Sequence, residues 1–317
     1  MNINGQNKSE EELLEDLKIK MPISEILGKY SESKVLSKLA LLNKREDFKT
    51  ESLSLNLEYS KPYVPAPTDI IPFGYTGGDG CYFAFLTDFG FYSSLDECPI
   101  VFISPTDFDG KKPQHANKFI AKNILDFLSI LIKIRNPEIT RFRDIKTMDF
   151  NFYLNEYIQD FRNDSLDYIL ELQNSTIELL KTNFELNDIV ELNQYYVNLE
   201  IERNGDLYIK TKDNLNIKVK EKHPEKIHRI DSMLSIELLE QKLTTMDKYS
   251  KLAFYRESPY IYHHFKQEYS EIMNLIIKSL ENIGLNRESN ILKFEMKQNM
   301  ISEAWLEKRR ENLKNER

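Results

Sequence analysis

Residues 71 to 90, IPFGYTGGDGCYFAFLTDFG, constrain the fold of this chain more than any other stretch. Five of its ten glycines fall between Gly74 and Gly90. Glycine lowers stability wherever its conformational freedom is not needed, so this clustering marks a place where the backbone turns sharply. Thr76-Gly77-Gly78-Asp79-Gly80 reads as a tight turn, with Gly77, Gly78 and Gly80 as its structural residues. Cys81 to Leu86 follow as an unbroken apolar run, the pattern of a strand covered on both faces. Turn and strand together form the expected centre of an N-terminal domain.

Around this centre the chain divides by composition. Seven of eleven prolines lie between Pro62 and Pro113, which disfavours helices there. Helices are expected over residues 9–20 and 23–43, and a half-buried strand over 52–59. A second strand is expected over 99–104, a polar loop over 107–115 and a strong helix over 117–134. The charged stretch RNPEITRFRDIK places a domain boundary near residues 136–146. Beyond it, helices are expected at 149–161 and 164–182. Alternation over 196–202 and 206–211 about Asn204-Gly205, with 215–219, suggests a three-stranded antiparallel meander. Three further helices are expected near 232–252, 261–283 and 299–315. The expected fold class is therefore α+β. Residues 1–140 would hold a small central sheet flanked by helices, and 141–317 a mainly helical domain carrying the meander.

Charge narrows the partners. The chain has a formal net charge of −8, which disfavours nonspecific binding to nucleic acid. Residues 151–200 alone carry ten acids and two bases, whereas 201–230 carry eight bases and five acids. An acidic surface facing a basic protein partner is the functional reading of that asymmetry, and solvated helix faces the structural one. Nothing approaches the roughly 20 apolar residues of a membrane span. The acidic, amphipathic start lacks the apolar core of a signal peptide, and two cysteines in apolar segments suit a reducing cytoplasm.

Catalytic motifs do not assemble. Asp88-Phe89-Gly90 matches a kinase tripeptide without the rest of that signature, and the glycine turn lacks the lysine and hydroxyl of a phosphate loop. Asp107-Phe108-Asp109-Gly110 lacks the later acids of a calcium loop. The pairs His223/His228 and His263/His264 lack metal-ligand spacing, so no metal and no cofactor is expected. Asp79 and Asp88 flank the central strand. They are candidates for paired carboxylates of a hydrolase, or, with Asp160, Asp164, Asp167 and Glu171, for a binding surface. The tyrosine-rich run Phe254 to Tyr269 reads as core between helices, or as a protein-binding patch.

The stretch from Val64 to Leu131 resembles the SUKH superfamily. Ile70-Ile71-Pro72-Phe73-Gly74 leads into the glycine turn and the strand Cys81–Leu86. Pro99-Ile100-Val101-Phe102-Ile103-Ser104 follows, and Asn123-Ile124-Leu125-Asp126-Phe127-Leu128 looks like the family's closing segment. SUKH domains are small α+β immunity proteins against bacterial polymorphic toxins, with eukaryotic relatives that act as interaction modules. The resemblance implies a non-catalytic binding domain; together with the acidic segment 151–200 it suggests a non-enzymatic protein of a bacterial or phage conflict system that binds and neutralises a basic toxin or effector. A self-associating scaffold is the remaining alternative.

Overall fold

The computed structural model describes residues 8–63, 65–77, 80–110, 112–136, 146–163, 166–222, 226–230, 234–262 and 269–315. Its architecture is mixed α+β. The strands are β1 (Asn56–Leu57), β2 (Ile70–Tyr75), β3 (Tyr82–Leu86), β4 (Ile100–Ile103) and β5 (Asn117–Ala121). They form one antiparallel sheet in the order β1-β2-β3-β4-β5, so each strand pairs with its neighbour in sequence. Pro72 lacks the N–H a ladder needs, and it sits at a register shift between Pro72 and Gly74 where β2 bulges against β3.

The central strand is buried on both faces, as its apolar run predicts. Ile71, Phe73, Phe83, Phe85, Ile100 and Phe102 point into the main core. Ile70, Tyr82, Ala84, Leu86, Val101 and Ile103 point the other way, into a smaller core closed by Ala66 and Leu215. This is the two-residue period of a pleated sheet read along three adjacent strands.

Helices enclose both the main core and a separate one of Leu239, Phe254, Ile276 and Leu292. In the first half they are α1 (Glu10–Leu17), α2 (Ile23–Leu27), α3 (Lys34–Leu42), α4 (Pro113–Ala116) and α5 (Ile124–Ile134). Three follow: α6 (Phe150–Asn163), α7 (Asp167–Asn183) and α8 (Leu192–Arg203). After the short strands β6 (Tyr208–Ile209) and β7 (Ile217–Lys218) come α9 (Ile236–Thr245), α10 (Lys248–Tyr262), α11 (Tyr269–Asn282) and α12 (Asn286–Asn315). The main core runs across the expected domain boundary, because Ile177, Leu180, Leu199 and Ile291 join Phe83 and Phe127 in it. α12 packs on α1 and α2, which brings the two ends of the chain together. No helix among the described residues is long and apolar enough to cross a membrane.

Five expectations need correction, the first being the helix over 23–43, which divides at Gly28, with a φ of 60°, into α2 and α3. The three-stranded meander over 196–220 is not formed. Leu192, Tyr196, Leu199 and Arg203 are buried at helical spacing, so 192–203 is helix and only β6 and β7 pair. Asn204-Gly205 ends that helix, with the Gly205 N–H donating to the Glu202 carbonyl at 3.2 Å, and joins no two strands. The expected helix over 117–134 begins only at Ile124. Asn123 caps it by accepting from the Asp126 N–H at 2.8 Å, and 117–121 pair with β4 instead. In the expected strand over 52–59, Ser54 turns left-handed at φ 55° after a short 3-10 turn, leaving only β1. The helix expected over 232–252 breaks at Asp247, whose carboxylate accepts from the Tyr249 and Ser250 N–H groups to start α10.

Candidate functional site

Two features concentrate charge: a buried cluster at the seam between sheet and C-terminal helices, and an exposed acidic face on α6 and α7.

The cluster is built at element ends. Asp69 immediately precedes β2, Asp88 lies just beyond β3, Arg203 closes α8, Asp213 sits between β6 and β7, and Arg256 lies inside α10. Arg203 grips Asp88 with both terminal nitrogens, at 2.9 and 3.0 Å, in the bidentate geometry of a guanidinium on a carboxylate. Its remaining N–H groups donate to the carbonyls of Leu215 and Asn216, and its plane stacks between Phe119 and Tyr208. Arg256, fully buried, donates to Asp69 and, at 3.2 Å, to Asp88, and stands 3.8 Å from Asp213. Three carboxylates thus meet two guanidinium groups, an excess of one negative charge away from water. Burial, with the charge of Asp88 adding to it, pushes the Asp69 carboxyl up to about 6 against the pull of Arg256.

This geometry is a clasp. Asp88 has no exposed side-chain surface, and both its oxygens are held by arginines. It therefore does not lie on an open binding face. Asp79 and Gly78 lie outside the described residues. Gly77 and Gly80 flank them at the turn, and Gly80 has a φ of 76° that favours glycine. Among the described residues, no group of three His, Cys, Asp or Glu could hold a metal ion. His223, His263 and His264 lie outside the described residues. Cys81 and Cys98 are free and buried. Burial raises the Cys98 thiol, which opposes formation of a reactive thiolate.

The structure assembles residues the sequence reading passed over: Asp69, Arg203, Asp213 and Arg256. The available signal was Arg256-Glu257 inside an otherwise apolar and aromatic run. Charges in such a run must find partners in the fold. That run is core, with Phe254, Tyr255, Tyr260 and Tyr262 all buried.

The second feature holds acids that the sequence analysis named as a candidate binding surface. Asp160 near the end of α6 and Asp167 and Glu171 in α7 are exposed. None of them has an ion-pair partner among the described residues. Asp164 lies outside the described residues, between the two helices. Phe152 and Tyr168 on the same helices are 57% and 66% exposed. Exposed aromatic side chains suit the core of a protein-binding surface, and acids suit its polar rim.

No family model, curated protein or solved structure matches the chain.

Proposed function

We propose that the protein is a non-catalytic binding module that engages a basic protein partner through the face formed by α6 and α7. The observation that carries this reading is the exposure of Asp160, Asp167 and Glu171, none with an ion pair among the described residues, on the two helices that also expose Phe152 and Tyr168. Uncompensated acids steer a basic partner during encounter, and exposed aromatics anchor it once docked. With the SUKH-like stretch, this supports an immunity or inhibitor-type protein of a bacterial or phage conflict system, acting stoichiometrically on a toxin or effector. The free, buried Cys81 and Cys98 suit a reducing cytoplasm as its setting.

The hydrolase alternative requires Asp88 to reach a substrate. Burial beneath Arg203 and Arg256 counts against it, because a general base must stand within hydrogen-bond reach of the proton it takes.

Steering has a measurable signature. Charges more than about 8 Å apart are largely screened at physiological ionic strength. Association with a basic partner should slow as salt rises, and Asp160→Asn, Asp167→Asn and Glu171→Gln together should slow it at low salt. Stopped-flow mixing measures both. A rate indifferent to salt and to these substitutions would remove the acidic face from the mechanism.

A further inference from the structure

We infer that a second site, separate from the acidic face, binds a phosphorylated small molecule. A cleft of about 710 Å³ opens between the N-terminal helices and sheet on one side and β7, α10 and the α11–α12 turn on the other. Four lysines line it: Lys29, Lys218, Lys220 and Lys248. Lys218 ends β7, and Lys220 follows two residues on in the bend beyond it.

These ammonium groups are only partly offset: Lys218 is near enough to the Glu202 carboxylate to help lower it. None of the four has a carboxylate within ion-pair distance among the described residues. Lys29 donates only to the carbonyl of Gly90, at 3.2 Å. Lys218 lies over aromatic rings, 5.2 Å from that of Phe91. Of the acids lining the cleft, Asp88 and Glu288 are buried against arginines. Glu221 accepts from the Tyr249 hydroxyl at 2.8 Å. Glu25 and Glu221 therefore remain as exposed carboxylates against the four lysines, and the accessible charge is positive. That excess stands out in a chain whose net charge is −8.

The backbone of the cleft is a further observation that points to a ligand. The wall also contains three consecutive left-handed residues, Asp88, Phe89 and Gly90, at φ 45°, 53° and 87°. Backbone held in this region by non-glycine residues is strained, and such strain collects at ligand clamps. Lysines suit phosphate as mobile point charges. Phe91, Leu252 and Leu285 offer an apolar wall for the organic part.

The test is calorimetric titration of the full chain with ATP and, separately, inorganic tripolyphosphate at low salt. Each should bind saturably at one site per chain. Lys220 and Lys248 are exposed, so Lys220→Gln with Lys248→Gln should leave folding intact and weaken both probes about tenfold by removing two attractive charges. Lys308→Gln on α12, outside the cleft, should leave both affinities unchanged. The inference is overturned if neither probe saturates, if the double variant binds as well as the wild type, or if ATP binds while tripolyphosphate does not. Should the double variant lose cooperative melting, Lys220→Gln alone carries the same comparison with a smaller expected loss. None of these outcomes depends on the protein partner.

Discussion

Arg256 decides more at the scale of single residues than any acid the sequence brings forward. It is wholly buried among Asp69, Asp88 and Asp213, with Arg203 as the only other cation in the cluster. Replacing it by methionine keeps much of the volume but leaves three carboxylates facing one another. Breaking a buried charge network this way costs about 3–5 kcal/mol, so Arg256→Met should lower stability by that order in urea unfolding at neutral pH. The cluster also gives stability a defined pH dependence. Asp69 is raised to about 6 in the folded protein, chiefly by burial. In the unfolded chain it titrates near the ordinary value of about 3.9. Between these limits the folded state holds the proton more tightly. The contribution of Asp69 is therefore full below about pH 4 and lost as pH rises through about 6. Glu295, raised to about 7 by its own burial, acts in the same direction. Comparing wild type with Asp69→Asn across this interval isolates Asp69. The wild type should lose stability relative to the variant as pH rises, and parallel curves would show that Asp69 does not titrate there. A chain read residue by residue offers little warning of this cluster. Its members are separated by up to 187 positions, and only the folded seam brings them within reach.

At the scale of elements, the sequence is most legible where one period dominates. The apolar strand Tyr82–Leu86 stands where its pattern places it, and the apolar stripe from Ile124 to Ile134 is helix although 117–121 before it is not, since burial on two faces or along one stripe leaves a single solution. Legibility fails where two periods overlap. Residues 196–202 alternate well enough to resemble a strand, yet Leu192, Tyr196, Leu199 and Arg203 give the helical stripe that packs. Tertiary burial settles the choice over local alternation. The exposed Asn198 separates the two descriptions. Proline there would interrupt the interior of α8 and should cost about 3 kcal/mol or more, while Asn198→Ala should be neutral or slightly stabilising. Thermal melting of the two variants measures the difference. Equal tolerance of both substitutions would contradict a helix over 192–203. The candidate site follows the same rule. Asp160, Asp167 and Glu171 were readable because exposure of acids on amphipathic helices is a local property, whereas the clasp and the cleft are built from distant segments.

At the scale of the whole molecule, the core and the charge are organised differently. The main core is shared across the chain: Phe83 and Phe127 lie in one apolar cluster with Leu180, Leu199 and Ile291. Residues 1–140 alone would expose that shared surface, so the intact chain should unfold in one cooperative transition and the fragment should lack one. Circular dichroism and fluorescence transitions that fail to coincide in the intact chain would contradict this. Charge, by contrast, is segregated. The acids of α6 and α7 and the lysines of the cleft have no ion pairs among the described residues, so under the proposed readings a basic protein and an anionic small molecule would be directed to different places. The most direct measurement of the central claim is affinity capture from the native host with the full chain and with Asp160→Lys, Asp167→Lys and Glu171→Lys combined, followed by light scattering of the eluted complex. The account predicts a protein retained by the wild type at one copy per chain and lost from the charge-reversed chain. Equal retention by both chains, or recovery of a small molecule with no protein partner, would contradict it.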